Sequence, residues 1–268
     1  MEAISKSVKK MDHDAKVSGQ ALYVDDIIMD DMLYGKMLRS TKAKARIKNI
    51  TLPNISAGYF VVDKNDVPGE NKIHVVEEDM PVFPVDTVEY VGDPILMVVG
   101  PDKKEIGKIL SEIVVDYEEL EPVFDVRKSD VSFFHYNYAK GDVDKAFEEA
   151  DRIITETFET GHQEQAYLET NGLIAYPHDG RMTVRGSMQC PYYVFGAVAK
   201  AIGYDKKDIQ IIQDVTGGGF GGKEDYPSIL ACQLAVAAIK ANKPVKYVFE
   251  RREDIEFTSK RHPSICTI

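Results

Sequence analysis

Residues 213–225 read QDVTGGGFGGKED, and the glycine run inside them decides how the surrounding chain is interpreted. Five of the six positions from 217 to 222 are glycine, and Phe220 is the exception. A strand pattern, DIQIIQDV, precedes the run, and an apolar helical pattern, PSILACQLAVAAIKAN, follows it. A tight turn needs only one or two glycines for positive φ, so this run favours close approach of a ligand to main-chain N–H groups ahead of a helix.

Two nucleotide-binding motifs overlap this loop. The P-loop pattern G-x-x-x-x-G-K-[ST] is matched from Gly217 to Lys223, but Glu224 stands where a hydroxyl should bind magnesium, and this disfavours nucleotide hydrolysis. The dinucleotide fingerprint G-x-G-x-x-G is formally met by Gly217, Gly219 and Gly222. With Glu250 as a possible ribose acceptor, a nicotinamide-dependent oxidoreductase is therefore an alternative.

Composition excludes several classes of protein. The chain has 268 residues, is 44% hydrophobic and 29% charged, and can bury a core of ordinary size. Its formal charge of −11, without a basic block, argues against nucleic acid and anionic membranes as partners. Residues 1–14 lack the apolar core of a secretion signal and no run approaches a membrane span, so we expect a cytoplasmic location. The cysteines, Cys190, Cys232 and Cys266, are too far apart for a zinc or local iron–sulfur site and are expected to be small buried hydrophobes.

The remaining patterns predict an α+β chain. Residues 18–62 carry short β-rich runs, and an amphipathic helix is predicted over residues 101–113, followed by a strand that closes the unit. Periodicity is lost over residues 125–140, which places a domain boundary there. We therefore predict domains 1–130 and 131–268, the second with strands near LIAYP, MTVRGSM and PVKYVFER and a helix around PYYVFGAVAKAIG.

Three motifs together resemble a known family. GGGFGGKE at 217–224, GHQEQAYLE at 161–169 and RHP at 261–263 resemble the molybdenum-binding chain of the xanthine dehydrogenase and aldehyde oxidase family. KVSGQALYVDDI and VEYVGDPILMVV are similar to its α/β hammerhead domain. The resemblance implies a hammerhead domain over 1–130 and the first part of a molybdopterin-binding domain over 131–268. It also implies an enzyme that hydroxylates an electron-poor carbon with water-derived oxygen.

The same resemblance implies cofactors and partners. The cofactor is expected to be molybdopterin with molybdenum, as the cytosine dinucleotide, and electrons are expected to leave through 2Fe-2S clusters to FAD on partner chains. The family's general-base glutamate and further pterin-holding residues lie downstream of the matched region. We therefore expect this chain to be catalytically incomplete without a remaining molybdopterin-binding polypeptide, an iron–sulfur subunit and an FAD subunit. A non-catalytic scaffold is the other alternative.

The resemblance also assigns residues to roles. The expected cofactor-binding residues are Gln163, Gly217, Gly218, Gly219, Phe220 and Gly221, and no side chain is expected to bind the metal directly. Gln163 is expected to donate its amide to an oxygen ligand of the metal, and Phe220 to form a wall of the substrate channel. Glu224 is expected to hydrogen-bond a purine-like substrate and, with Gln163, to take part in catalysis.

Overall fold

A computed structural model describes residues 6–75 and 78–268. Residues 1–5 lie outside this description, and with them the first part of the segment 1–14 that was predicted not to be a secretion signal. The chain forms two compact units: a larger one built from the chain up to Leu120 together with Gln165–Ser259, and a smaller one built from Glu121–Glu164 and Lys260–Ile268. Among the described helices, none combines the length and apolar character that crossing a bilayer requires.

The described residues form both helices and strands, including two runs of consecutive strands. The helices are α1 (His13–Val17), α2 (Lys103–Glu112), α3 (Val143–Glu149), α4 (Pro191–Ile202), α5 (Tyr226–Ala241) and α6 (Arg251–Phe257). The strands are β1 (Leu33–Arg39), β2 (Ala45–Thr51), β3 (Phe60–Val62), β4 (Thr87–Val88), β5 (Pro94–Gly100), β6 (Val114–Glu119), β7 (Thr157–Thr160), β8 (Gly172–His178), β9 (Arg181–Gly186), β10 (Ile209–Gln213), β11 (Val245–Val248) and β12 (Ser264–Thr267). This content confirms the predicted α+β class.

A seven-stranded mixed sheet forms the centre of the larger unit. Its strand order is β10-β9-β8-β11-β1-β5-β3, and β1 joins β11 in parallel, with Leu33 opposite Val245. Strands β1, β3 and β5 precede residue 130, whereas β8 to β11 follow it. The predicted domains 1–130 and 131–268 thus contribute to one sheet, and their boundary stays a prediction.

Helix α5 is the most buried helix of this unit. Every residue from Tyr226 to Ala238 is buried, as expected for a helix that is apolar all round. It lies beside α4 and contacts β8 and β11. Proline in its first turn and Asn242 in the left-handed region after its last residue set its limits. The predicted helices around 191–203 and 227–242 are confirmed.

Strand β5 is buried on both of its faces. Met97 and Val99 belong to the core that contains α4 and α5, whereas Leu96 and Val98 belong to a second core that contains α2. A strand covered on both sides reads as a continuous apolar run, which is how residues 94–100 read. The second core also includes the three-stranded sheet β4-β2-β6.

The smaller unit has no core among its described residues. It contains α3 and the antiparallel pair β7 and β12, in which Thr160 lies opposite Ser264. None of its described side chains is classed as buried. A two-stranded sheet with a seven-residue helix is marginal in water without further packing.

The sequence-based interpretation of residues 21–27 as a strand is wrong. Val24–Asp26 forms a 3₁₀ turn, and the Nζ of Lys246 donates to the carbonyl oxygens of Asp25 and Ile27 at 2.8 Å each. These main-chain groups therefore bond to a lysine from β11 instead of a neighbouring strand. Tertiary contact overrides the local β propensity here.

Candidate functional site

The glycine loop lies between edge strand β10 and helix α5. Gly218, Phe220 and Gly221 have φ values of 99°, 50° and 94°, in the left-handed region. Phe220 is the non-glycine residue in this set, and its side chain is 77% exposed. A phenylalanine held in this region is strained and is usually fixed by its surroundings, often at a functional site.

Three of the glycines are required by packing inside the protein. A Cβ at Gly217 would lie 2.5 Å from Cβ of Glu169, and one at Gly222 would lie 2.4 Å from the Tyr167 ring. A Cβ at Gly219 would lie 2.3 Å from Oε1 of Gln189. The glycine content that suggested ligand approach is therefore explained in part by neighbouring side chains of the same chain.

The main-chain N–H groups of the loop divide into two sets. The N–H of Gly217 donates to Oε2 of Glu169 at 2.7 Å, and the N–H of Gly221 donates to Oε1 of Gln189 at 3.1 Å. Within the described residues, the N–H groups of Gly218, Gly219 and Phe220 have no acceptor. Consecutive N–H groups left free in a loop of this kind form a concave site for an anion or another acceptor.

Lys223 does not act as the lysine of a P-loop. Its side chain is fully buried, and its Nζ donates to Oε2 of Glu169 at 3.0 Å and to Oγ of Ser187 at 2.9 Å. Nζ also lies 4.8 Å from the centre of the Tyr167 ring. Burial lowers the pKa of the Lys223 ammonium, and the Glu169 carboxylate acts in the opposite direction. Because this cation points inward, the structure agrees with the argument against nucleotide hydrolysis.

The dinucleotide alternative also lacks support from the topology. Strand β10 lies at the edge of the sheet, and β9 and β8 separate it from β11, which follows α5. In the dinucleotide fold, the strand after the first helix lies next to the strand before it. Glu250, considered as a ribose acceptor, instead forms an ion pair with Lys36 at 2.8 Å.

Glu224 follows the buried lysine and is exposed. It lies where the loop joins α5, next to Asp225, whose Oδ1 accepts from the N–H of Tyr226 at 2.8 Å. Burial raises the pKa of the nearby Cys190 thiol, and the charges of Glu224 and Asp225 act in the same direction. Cys190 therefore stays a neutral thiol at neutral pH.

The prediction that the three cysteines are small buried hydrophobic residues holds for one of them. Cys232 is buried, Cys190 is half-buried and Cys266 is exposed. The described residues contain no group of three His, Cys, Asp or Glu side chains that could hold a metal ion.

Gln163 lies in the smaller unit, whereas the other candidate residues lie in the larger one. Its N–H donates to the carbonyl of Arg261 at 3.1 Å, and the N–H of Arg261 donates back at 3.0 Å. Next to this bridge, Lys260 and Glu164 form an ion pair of 2.6 Å. Two motifs separated by about 100 residues, GHQEQ and KRHP, therefore pair directly through the main chain.

Sequence reasoning missed the residues that hold the loop. Gln189 and Ser187 lie just after β9 in GSMQC, and nothing in their spacing from the glycines signals the contact. Glu169 was visible inside the GHQEQAYLE motif, but without an assigned role. Only the paired register of β9 and β10 brings residues 187–189 beside the loop.

Comparison with known proteins identifies the class. The protein-family model described as "Molybdopterin cofactor-binding domain" matches residues 123–268. A second family model, "Aldehyde oxidase and xanthine dehydrogenase, a/b hammerhead domain", matches residues 18–121. The first match covers more than half of the chain and defines its class as that of proteins with a molybdopterin cofactor-binding domain. More specifically, the chain belongs to the aldehyde oxidase and xanthine dehydrogenase family, which confirms the resemblance inferred from the sequence motifs.

Individual relatives agree with this assignment. The chain is 32% identical to the nicotinate dehydrogenase large molybdopterin subunit of Eubacterium barkeri, over 98% of this chain and 65% of that protein. It is 33% identical to the xanthine dehydrogenase of Dictyostelium discoideum, over 98% of this chain but 20% of that protein. The structure of aldehyde oxidoreductase from Desulfovibrio gigas matches with a TM-score of 0.81 and 22% identity, over 94% of this chain and 31% of that one, which supports the fold. The chain thus spans less than two thirds of each.

The residues around the loop fit a pterin cofactor. The free N–H groups of residues 218–220 can donate to its acceptor groups. Oε1 of Glu169 and Oε1 of Gln165 are buried acceptors without a hydrogen-bond partner among the described residues. Buried polar atoms of this kind call for an explanation. A pterin, which carries both N–H donors and acceptors, can satisfy both sets.

Proposed function

We propose that this chain forms part of the molybdenum subunit of a xanthine dehydrogenase-like hydroxylase, which oxidises purines or related N-heterocycles with water-derived oxygen. The observation that carries the proposal is the set of three free N–H groups at residues 218–220, held in a loop whose sequence belongs to a molybdopterin-binding domain. When bound, molybdopterin with molybdenum, as the cytosine dinucleotide, supplies the oxygen transfer and accepts two electrons.

The chain's own residues bind and orient in this proposal. The N–H groups of Gly218, Gly219 and Phe220 donate hydrogen bonds to acceptors of the cofactor, and the side-chain amide of Gln163 donates another. Preorganised N–H donors of this kind stabilise negative charge without having to reorient during reaction. The exposed ring of Phe220 forms a wall of the substrate channel.

The position of Glu224 supports the proposal that the substrate is a heterocycle. Its carboxylate is exposed beside the loop and can accept a hydrogen bond from an N–H group of a heterocycle. The two relatives described above are named for nicotinate and xanthine, and both of these compounds are nitrogen heterocycles. We therefore assign substrate positioning to Glu224. We also propose that the reaction takes place in the cytoplasm.

Further polypeptides complete the enzyme in this proposal. The smaller unit exposes large apolar side chains along residues 123–158, among them Phe124, Phe133, Phe134 and Phe147. Exposed apolar surface on this scale marks a surface that another protein covers. We propose a second molybdopterin-binding polypeptide as that partner. Subunits with 2Fe-2S clusters and FAD carry the electrons away. Without these polypeptides the chain is inactive.

One purification tests the proposal. The chain is tagged in its native host and purified gently, molybdenum is assayed, and the co-purifying polypeptides are identified by mass spectrometry. We expect molybdenum together with a second molybdopterin-binding chain, an iron–sulfur chain and a flavin chain. A chain that is recovered alone and without molybdenum from cells containing the active enzyme would contradict the proposal and favour the scaffold alternative.

A further inference from the structure

One carboxylate oxygen connects the two ends of the glycine loop. Oε2 of Glu169 accepts from the N–H of Gly217 at 2.7 Å, from the Oγ of Ser187 at 2.6 Å and from the Nζ of Lys223 at 3.0 Å. Gly217 begins the glycine run and Lys223 directly follows it. Both ends are thereby fixed to a single point.

A neutral side chain holds the middle of the loop. Oε1 of Gln189 accepts from the N–H of Gly221 at 3.1 Å and from the N–H of Lys223 at 3.2 Å. The main-chain N–H of Gln189 also donates to the carbonyl of Lys223 at 2.7 Å. These bonds leave the N–H groups of residues 218–220 between fixed points and without acceptors of their own.

We infer that Glu169, Lys223 and Gln189 are positioning residues, here called the loop frame, that keep the three free N–H groups of residues 218–220 aligned for the cofactor. The inference rests on the proposed function for its ligand. Glycine loses more conformational freedom on folding than any other residue type. A segment with five glycines in six positions therefore adopts one conformation only where side chains impose it.

The charged pair formed by Glu169 and Lys223 determines which variants can test the inference. Lys223 is fully buried and Glu169 nearly so, which means that removing either charge leaves the other buried and unpaired. Single substitutions therefore confuse loss of stability with loss of loop order. Two double variants avoid this: Glu169→Gln with Lys223→Met, and Glu169→Leu with Lys223→Met. Both remove both charges, but only glutamine retains an acceptor for the N–H of Gly217.

The first measurement uses the whole chain without cofactor, labelled with ¹⁵N-glycine. We follow hydrogen exchange at Gly221, because its acceptor, Gln189, is the same in both variants. If the frame orders the loop as a unit, exchange at Gly221 is about tenfold faster in the leucine double variant than in the glutamine one, since loss of one hydrogen bond corresponds to roughly that factor. Equal exchange at Gly221 in the two variants would overturn the inference.

Lys246→Met provides the matched control. Lys246 is also a buried lysine, but its Nζ bonds to carbonyl groups of residues 24–27 and not to the loop. This variant is expected to unfold at lower temperature while Gly221 exchanges as in the unaltered chain. A similar acceleration at Gly221 in the control would mean that exchange reports general stability, and the inference would be wrong.

The second measurement is molybdenum content of the complex purified with each double variant. We expect the glutamine variant to retain most of its molybdenum and the leucine variant to lose most of it, although both have lost the charged pair. Equal molybdenum content would contradict a positioning role. Absence of molybdenum from the unaltered complex would count against the proposed function instead, and the exchange result, obtained without cofactor, would stand.

Discussion

Glu224 is the residue through which substrate preference can be tested. Replacement by alanine removes the carboxylate proposed to bind the heterocycle but leaves the buried neighbour Lys223 in place. We expect kcat/KM of the assembled enzyme to fall by about 10²-fold for a purine and far less for an aldehyde, because a lost charged hydrogen bond costs roughly 1.5–3 kcal/mol. Glu112→Ala, an exposed glutamate at the end of α2, is the control. Equal losses on both substrates would remove the argument for a heterocycle.

Gln163 is predicted to act on the cofactor and not on the stability of the chain. Its contacts within the described structure are made mainly by its main chain, which bridges to Arg261, so Gln163→Ala should leave that bridge intact. We expect lower molybdenum content or lower turnover in the assembled enzyme, with an unchanged thermal midpoint of the isolated chain. Full activity and full molybdenum content in this variant would contradict the role assigned to Gln163.

The free energy of unfolding is predicted to depend on pH through the carboxyl group of Asp93. Burial raises the pKa of this carboxyl from 3.8 to about 6, although it accepts from the N–H of Glu89 at 3.0 Å and the Arg39 charge opposes the shift. The folded state therefore holds the proton more tightly than the unfolded state, and this contribution to stability is present below about pH 4 and lost as the pH rises through 6. Asp93→Asn is neutral throughout, so its free energy of unfolding relative to that of the unaltered chain should rise by roughly 2–2.5 kcal/mol between pH 4 and 7.

Urea titrations of both proteins at pH 4, 5, 6 and 7 measure this difference. Asparagine keeps an oxygen for the N–H of Glu89, so the comparison isolates the proton and not the hydrogen bond. A difference between the two proteins that does not change with pH would show that Asp93 does not titrate in this range.

Roles could be assigned to individual residues from the sequence only where a motif contains them, and these assignments stay predictions. Gln163, Glu224 and the glycines stand in contiguous stretches that resemble a family, and the family is confirmed. Gln189 and Ser187 stand outside those stretches, and their bonds to the loop depend on sheet register. The inward direction of Lys223 was equally hidden, because a lysine after glycines suggests phosphate binding until its partner is known.

At the scale of elements, two glycines should respond to alanine in opposite ways. A Cβ at Gly219 would require Gln189 to move and lose its bonds to the N–H groups of Gly221 and Lys223, at a cost of about 1–3 kcal/mol. Gly107 lies inside α2, where a Cβ would meet nothing within 4 Å, so alanine should stabilise by about 0.5–1 kcal/mol. Chemical denaturation of the two variants gives both values, and a Gly219→Ala variant as stable as the unaltered chain would contradict the packing argument.

Elements with strong periodicity were predicted correctly, and those defined by distant contacts were not. Helix α2 has an apolar face and an Asp102 side chain that accepts from the N–H groups of Lys104 and Glu105, at 2.8 and 2.9 Å. The turn at Val24–Asp26 and helix α6 were missed. Lys246 bonds to the first from another strand, and the second is held by contacts such as that of Asp254 with the N–H of Asn171 at 2.9 Å. Neither contact leaves a local pattern in the sequence.

At the scale of the molecule, the two units differ in what stabilises them. The larger unit buries apolar side chains from both sides of its sheet, which is the dominant favourable contribution to folding. The smaller unit has no buried side chain among its described residues and exposes a run of aromatic residues over 133–138, FFHYNY. Ordering these residues costs conformational entropy that burial within this unit does not offset.

This difference predicts where proteolysis begins. In the isolated chain, chymotrypsin should cleave at Phe133, Phe134, Tyr136 or Tyr138 before it cleaves within the seven-stranded sheet, because local opening is easiest where few apolar contacts must break. In the complex with the proposed second molybdopterin-binding polypeptide, cleavage at these four residues should slow by about tenfold or more, since bound surface must dissociate before it is cut. Mass spectrometry of the early fragments measures both rates. If these sites are cleaved as fast in the complex as in the isolated chain, the partner does not cover the smaller unit, and its exposed aromatic residues need another explanation.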